Sequence, residues 1–233
     1  VGCKTPAILG SPLYPEVACD WVEQELGTMA TRPEAPFEVS EETKEVLRTQ
    51  VLDYWRGKQV YNRIMEALSD ELLRATDEGL FFHYFLNRTI GHITVDYRRV
   101  LEKGFLGLKA DVEAELARVD YEAAGCLNKI HLLRAMAICC DAAICFAERY
   151  AAEARRLAAT ERDPVRQAEL IRIAEICHRV PAHPARTFHE ALQSFYFVHL
   201  MLNLETNGYA IGPGRFDQYL YPYYRADVEA NRL

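Results

Sequence analysis

NKIHLLRAMAICCDAAICFAERYAAEARRLAA, residues 128–159, is the stretch of this sequence that decides its fold class. The segment is rich in alanine, and its apolar residues recur at steps of three and four, which is the spacing of one helical face. The residues that set this pattern at the start of the segment are Ile130, Leu133, Met136, Ala137 and Cys140. We therefore predict a long central helix that is largely buried at its start.

Shorter helical segments flank this central helix on both sides. Each of four begins after a residue that can cap free backbone N–H groups, and these residues are Ser40, Asp96, Asp163 and Thr187. The predicted helices cover about residues 17–25, 40–52, 60–76, 97–118, 164–179, 187–201 and 217–224. We expect the helix over 97–118 to be interrupted near Gly104 and Gly107. Glycines and a proline preclude a helix in 203–215, where short apolar alternation suits a strand entering a loop. The predicted fold class is mainly α.

The composition is typical of a globular protein and argues against several functional classes. Of the 233 residues, 50% are hydrophobic, and the formal net charge is −7. An acidic excess argues against a nucleic-acid surface, which needs clustered basic residues. The sequence shows no run of about 18 apolar residues and no secretion signal at its start. We therefore predict a cytoplasmic protein with neither nucleic acid nor membrane as a partner.

The seven cysteines predict neither a disulfide framework nor a metal site. Their odd number and irregular spacing indicate reduced thiols. Cys139, Cys140 and Cys145 lie close together in sequence, but adjacent cysteines on one helix point about 100° apart, which suits a tetrahedral metal site poorly. We interpret these cysteines as small buried residues.

Two segments carry candidate binding residues, since no self-sufficient catalytic motif is present. The first is Arg88-Thr-Ile-Gly-His92, which follows an aromatic run at residues 81–85. Aromatic walls beside a guanidinium and an imidazole suit a small polar or anionic substrate. The alternative is structural: the aromatic side chains form core, Arg88 pairs with an acidic neighbour, and His92 donates to a backbone carbonyl.

The second segment is ETNGYAIGPGRFDQ, residues 205–218. A glycine-rich backbone can approach a ligand closely, and polar side chains then project from a strand end, as in many barrel sites. The alternative is again structural. Arg215 and Asp217 would form an internal ion pair that holds the turn, and the tyrosines that follow would be packing residues.

Several motifs resemble those of one known family. RTFHEALQSF at residues 186–195, Asn207-Gly208, and PGRFDQYLYPYY at residues 213–224 resemble the pyruvate formate-lyase domain of glycyl-radical enzymes, of the pyruvate formate-lyase and glycerol dehydratase type. Further similar motifs, in the family's order, lie at residues 10–16, 31–33, 54–58, 91–97 and 174–181. The resemblance therefore covers essentially the whole chain.

This resemblance implies a ten-stranded α/β barrel wrapped by helices, with a radical stored on a glycine near the carboxyl terminus and passed to a cysteine. The family carries these residues in Gly-Cys-x-Glu and Arg-Val-x-Gly-Tyr loops, and neither loop occurs here. We interpret residues 1–233 as the helical amino-terminal part of this domain, without its glycyl-radical region. Because the chain does not begin with Met, we also expect its own amino terminus to be missing. No residue receives a catalytic or metal-binding role.

The resemblance also implies substrate contacts. In the glycerol-dehydratase-like branch a histidine of a Gly-His motif contacts the substrate, and His92 matches it. That branch has His-Ser after Asn-Gly, where this sequence has Tyr209-Ala210 after Asn207-Gly208. The change removes hydrogen-bond partners for vicinal hydroxyls and disfavours glycerol and propanediol as substrates. The predicted substrate-binding residues are Arg88, His92, Asn207, Tyr209 and Ala210.

The predicted function of the full-length protein is that of a glycyl-radical lyase, which cleaves a C–N, C–O or C–S bond of a small molecule by radical elimination. A choline trimethylamine-lyase is the first interpretation, because VGCKTP at residues 1–6 and SPLYPE at residues 11–16 resemble that branch. A glycyl-radical dehydratase is an alternative. If Arg88 faces the pocket it favours an anion, as in an arylacetate decarboxylase or an isethionate sulfite-lyase.

An alternative of another class is an inactive, truncated helical interaction module. Under the enzymatic interpretation, the implied partners are a small-molecule substrate, a radical S-adenosylmethionine activating enzyme and a second copy of the protein in a homodimer. No bound cofactor is expected, because the radical is carried by the protein itself in the missing carboxyl-terminal part. This chain alone is expected to be inactive.

Overall fold

The computed structural model of the chain describes residues 13–34, 36–80, 91–205 and 210–233. Within those ranges the fold is helical, and strand-like pairing is limited to one isolated bridge. The α-helices there are α1 (Asp20–Glu25), α2 (Glu41–Val46), α3 (Asp53–Trp55), α4 (Val60–Ala67), α5 (Asp70–Asp77), α6 (Tyr97–Ala117), α7 (Cys126–Ala158), α8 (Pro164–Arg179), α9 (Phe188–Glu205) and α10 (Phe216–Glu229). A π-helical turn over Leu47–Leu52 joins α2 to α3. The predicted mainly helical class is confirmed, although α9 continues into the stretch that was expected to lack helix.

The described residues fall into two compact units. The first comprises Thr94–Leu202 and Gly212–Leu233, and therefore contains α6, α7, α8, α10 and most of α9. The second comprises the described parts of residues 4–93 and 203–211, with α1 to α5.

Side-chain caps explain where several helices begin. The predicted caps at Ser40, Asp96 and Asp163 are confirmed, since each side chain accepts a hydrogen bond from a backbone N–H of the first turn. The prediction of one helix over 60–76 is wrong. The chain is extended just before Ser69, and the Ser69 hydroxyl accepts a backbone N–H to begin α5. A serine in a helical pattern can start a new helix because its hydroxyl competes for backbone groups.

The start of α9 is held by more than the predicted cap at Thr187. The Thr187 hydroxyl accepts from the Glu190 N–H at 3.2 Å, as expected. The buried Glu190 carboxylate, however, accepts from the backbone N–H of Arg186 at 2.8 Å and pairs with the guanidinium groups of Arg186 and Arg179. The first N–H of α9 donates instead to the buried Asp227 carboxylate at 2.9 Å. Two buried carboxylates therefore fix this helix end.

A break at Gly104 divides α6. Its φ of 65° and ψ of 169° are not helical, and a Cβ at this position would lie 2.3 Å from the carbonyl oxygen of Ala182. The Phe105 N–H donates to the Pro181 carbonyl at 2.8 Å, so the loop after α8 caps the break. Gly107 remains helical, so the interruption predicted there is wrong.

One stripe of α7 forms the centre of the first unit. Its buried residues are Ile130, Leu133, Cys140, Ala143, Ala147, Ala151, Ala154 and Ala158. Val112 and Val119, within and just after α6, pack against the first half of this stripe. Cys177 of α8 and Phe197 of α9 pack against the alanines of the second half. Small side chains there allow neighbouring helices to approach closely.

The opposite side of the first half of α7 is exposed, so the prediction that the helix is largely buried at its start is wrong. Leu127, Leu132, Met136 and Ile138 are apolar residues on that side. By length and composition, α7 is apolar enough to cross a membrane, a property that it shares with core helices of globular proteins. Its buried stripe packs against α6, α8 and α9.

In the second unit a buried polar side chain links two helix starts. Gln59 is fully buried, and its side chain accepts from the Cys19 N–H and donates to Asp20 at 2.6 Å. Beside it, α1 packs against the π-helical turn through a cluster that includes Val22 and Leu52.

Candidate substrate-binding site

An isolated parallel bridge joins Thr94 to Gly212. His92 precedes Thr94 by two residues, and Ala210 precedes Gly212 by two residues. Both residues are exposed, and both have positive φ, 53° and 59°. Such backbone is uncommon outside glycine, is adopted more readily by histidine than by alanine, and is concentrated at functional sites. Two of the predicted substrate-binding residues thus share an uncommon backbone conformation, and each lies two residues before a member of the bridge.

The turn after the bridge is held from two sides. Gly214 has a φ of 66°, and a Cβ on it would lie 2.8 Å from the methyl carbon of Thr94. On the other side, the Tyr219 hydroxyl donates to the Pro213 carbonyl at 2.7 Å. The backbone over 212–214 is therefore confined between Thr94 and α10.

An aromatic cluster supports this turn from within the first unit. We define the cluster as Tyr97, Phe195, Phe216 and Tyr219. Ring centroids lie 4.7 Å apart for Tyr97 and Phe195, 4.8 Å for Phe195 and Phe216, and 6.0 Å for Tyr97 and Tyr219. The Tyr97 hydroxyl lies 3.1 Å from Nδ1 of His199. Burial raises the pKa of both tyrosine hydroxyls, so both remain protonated at neutral pH.

The sequence did not single out Thr94 or Tyr219. Tyr219 is one of several closely spaced tyrosines, and only its burial distinguishes it, since Tyr221 and Tyr224 are exposed. Thr94 has no signal of its own, but it stands two residues after the histidine of a Gly-His motif.

Arg215 and Asp217 form the ion pair that the structural alternative predicted. The guanidinium donates to both carboxylate oxygens, at 3.1 Å and 2.8 Å. The hydrogen bond from Arg215 lowers the pKa of Asp217. Both side chains are exposed, so the predicted pair lies on the surface.

Three of the predicted substrate-binding residues, Arg88, Asn207 and Tyr209, lie outside the described residues, so the argument for an anionic substrate stays a prediction. No group of three metal-ligating side chains occurs in the part of the chain that the structure describes. Among the cysteines considered as ligands, Cys140 is buried, whereas Cys139 and Cys145 are exposed. The interpretation of small buried residues therefore holds only for Cys140.

A shallow depression of about 690 Å³ lies along the outer face of α8. Val165, Ile171 and Arg172 are among the residues that line it, and all of its lining residues belong to this one helix. Because it is open and gathers no polar groups from other elements, we do not regard it as the substrate site.

Comparison with known proteins relates the whole chain to one family, because the model described as pyruvate formate lyase-like matches residues 1–233. The trans-4-hydroxy-L-proline dehydratase of Clostridioides difficile is 39% identical over 98% of this chain and 29% of that protein. The isethionate sulfite-lyase of Bilophila wadsworthia is 37% identical over 95% of this chain and 28% of that protein. A solved structure concerning 1,2-propanediol dehydration in Roseburia inulinivorans has a TM-score of 0.95 and 40% identity, over 100% of this chain and 28% of its own.

The chain thus spans less than a third of the length of these relatives. The likeness nevertheless extends over nearly all of this chain, in sequence and in helical fold, and it includes the motifs at residues 186–195 and 213–224. The family that those motifs predicted is confirmed: the chain belongs to the pyruvate formate lyase-like family of glycyl-radical enzymes.

Proposed function

We propose that the full-length protein is a glycyl-radical dehydratase that removes water from a small hydroxylated substrate. The observation that carries this proposal is the similarity of the whole chain to a hydroxyproline dehydratase, at 39% identity, and to the propanediol-dehydration structure, at 40%. In this proposal residues 1–233 are the helical amino-terminal part of a ten-stranded α/β barrel. The chain supplies one wall of the pocket, and the radical glycine and the cysteine come from the rest of the protein.

His92 is the residue that we assign to the leaving hydroxyl. An imidazole can donate a hydrogen bond from one nitrogen and accept at the other, so it can orient a hydroxyl in either sense. A donor held beside the oxygen that departs as water also stabilises the charge that develops on it. The exposed position of His92 and its left-handed backbone are the features that support this role.

Ala210 narrows the class of substrate. Its methyl group offers no hydrogen bond, and it precedes the bridge residue Gly212 by two residues, as His92 precedes Thr94. A hydroxyl left without a partner in a dry pocket costs about 1–3 kcal/mol. We therefore infer a substrate with a single hydroxyl at the reacting end rather than a vicinal diol.

The same chemistry allows a second leaving group. Release of sulfite is supported by the 37% identity to an isethionate sulfite-lyase, and it would need a cation for the sulfonate, for which Arg88 is the candidate. The choline trimethylamine-lyase interpretation stays a prediction. A radical S-adenosylmethionine activating enzyme, a second copy of the protein and a cytoplasmic location belong to the proposal as well.

The first test uses the full-length enzyme, activated anaerobically with its activating enzyme and supplied with a panel of substrates. The panel contains trans-4-hydroxy-L-proline, 1,2-propanediol, glycerol, isethionate and choline. We expect elimination of water from a member of the panel with a single hydroxyl, with kcat/KM at least about tenfold above that for 1,2-propanediol or glycerol. Faster turnover of 1,2-propanediol or glycerol would overturn the inference that Ala210 disfavours vicinal hydroxyls. Release of only sulfite or trimethylamine would overturn the dehydratase proposal.

A second test addresses His92 directly. His92→Asn keeps a residue type that tolerates positive φ but shortens the reach of the side chain. We expect kcat/KM to fall by about 100-fold, with unchanged glycyl-radical content by electron paramagnetic resonance. His131→Ala, at an exposed position of α7, is the control and should have wild-type kinetics. Wild-type activity in His92→Asn would exclude the assigned role.

A third measurement separates the enzyme from the alternative of an inactive helical module. The full-length protein should give a glycyl-radical signal after activation, whereas residues 1–233 alone should give none. Absence of the signal in the full-length protein would favour the inactive module. A signal from residues 1–233 alone would contradict our placement of the radical glycine.

A further inference from the structure

The structure contains a contact that fixes the backbone just after Ala210. We propose that Tyr219 is a positioning residue, whose hydroxyl bond to the Pro213 carbonyl holds the adjacent turn so that the wall carrying Ala210 keeps its shape for the substrate. This inference rests on the proposed function, because it concerns the same wall of the pocket.

The Tyr219 hydroxyl holds the turn at Pro213 directly. The side chain is 8% exposed, and its oxygen donates to the Pro213 carbonyl at 2.7 Å. Proline has no backbone N–H, so this carbonyl is the only backbone group through which Pro213 can be hydrogen-bonded. Tyr219 lies in the first turn of α10 and reaches back over the residues that precede the helix. The bond therefore ties the turn to the start of a regular helix.

The turn is also confined on the side that faces Thr94. Gly212 is bridged to Thr94, and the space beside Gly214 is too small even for a methyl group, since a Cβ there would meet Thr94 at 2.8 Å. Movement toward Thr94 is thus blocked by contact, and movement away from it is opposed by the bond to Tyr219. Loss of the hydroxyl would release the turn in that second direction only.

The ring of Tyr219 is packed against three other aromatic rings. Its centroid lies 6.0 Å from that of Tyr97, 6.4 Å from Phe195 and 5.9 Å from Phe216. Tyr219→Phe therefore keeps the packing of the aromatic cluster and removes only the hydroxyl. Tyr97→Phe is a matched control, because it also removes a buried tyrosine hydroxyl from the cluster, but one whose contact is with His199 of α9.

The experiment compares these two variants in the full-length enzyme. For Tyr219→Phe we expect KM for the substrate to rise about fivefold, the equivalent of one neutral hydrogen bond, with kcat and radical content little changed. Hydrogen exchange of the backbone amides over residues 210–214, followed by mass spectrometry, should accelerate by a similar factor. Tyr97→Phe should change KM by less than about twofold and leave exchange in 210–214 unchanged.

The outcomes separate this inference from the proposed function. Unchanged exchange over 210–214 in Tyr219→Phe overturns the positioning role, whatever the activity of the wild-type enzyme. Equal changes in KM for the two variants also overturn it, since they would reflect the general loss of a buried hydroxyl. If the wild-type enzyme dehydrates no substrate of the panel while exchange responds to Tyr219→Phe alone, the proposed function fails and the anchoring of the turn stands.

Discussion

Replacing Gly104 with alanine adds a methyl group where the break in α6 meets the loop after α8. The added carbon would lie 2.3 Å from the carbonyl oxygen of Ala182. Next to it, the N–H groups of Phe105 and Leu106 donate to the carbonyls of Pro181 and Ala182 at 2.8 Å and 3.0 Å. The substitution therefore forces the loop away from the bonds that cap the helix break.

The cost can be worked out from this geometry. Backbone with the φ of 65° and ψ of 169° found at Gly104 is accessible almost only to glycine and costs another residue about 2 kcal/mol. A carbon needs about 3.3 Å from a carbonyl oxygen, so the loop must move by about 1 Å and lose both hydrogen bonds, which contribute about 1 kcal/mol each. Alanine restricts the unfolded chain and offsets about 0.7 kcal/mol. The free energy of unfolding should fall by about 3 kcal/mol.

The assay is urea denaturation of the chain, followed by far-ultraviolet circular dichroism, with Gly125→Ala as the matched control. Gly125 also has a positive φ, 79°, but a Cβ there would meet no atom within 4 Å. This control loses only the cost of left-handed backbone, about 1 kcal/mol. Equal losses in the two variants would refute the reasoning, because contact with the loop would then contribute nothing.

Three further perturbations test other parts of the chain. Burial opposes ionisation of Asp227, but the hydrogen bond from the Phe188 N–H and the ion pair at this site outweigh it and lower its pKa. Because the pKa of Asp227 is lower in the folded chain than in the unfolded chain, where it is about 3.9, ionised Asp227 stabilises the fold at pH values above that. This stabilisation is lost as the pH falls from about 3.9 through the folded-state pKa. Asp227→Asn should be about 1–2 kcal/mol less stable at neutral pH and should lack this acid dependence. Urea midpoints of variant and wild type that differ by the same amount at every pH would contradict this expectation. Arg215→Ala removes an exposed ion pair and should leave the urea midpoint unchanged. A decrease in the midpoint as large as that of Gly104→Ala would be evidence against a surface pair. Burial raises the pKa of Cys177 to about 11, so iodoacetamide should modify exposed Cys139 first, and equal rates by peptide mass spectrometry would exclude this order.

Local signals predicted much of the fold. Asp96 and Asp163 start helices because a carboxylate satisfies free N–H groups within its own turn. The two partners of such a contact lie close together in sequence, so the sequence alone predicts it. Gly104 and Gly107 show the limit of this reasoning. Both are glycines in one helical pattern, yet only Gly104 breaks α6, because the loop at residues 181–185 packs against it.

The sequence predicts the family and a candidate substrate contact, but not the residues that hold the site in place. A short motif pointed to His92 as a substrate contact, but neither its left-handed backbone nor the bridge between the distant residues Thr94 and Gly212 has a signal in the sequence. Tyr219 differs from the exposed Tyr221 in burial and in its bond to Pro213. Neither property is visible in a run of closely spaced tyrosines, since both are set by tertiary packing.

The bridge between Thr94 and Gly212 is made by main-chain atoms, so its hydrogen bonds do not involve the neighbouring side chains. Substitution at Ala210 or His92 therefore leaves the bridging atoms themselves unchanged. Under the proposed function, exchange of these two side chains would change the preferred substrate while the backbone pairing stayed the same.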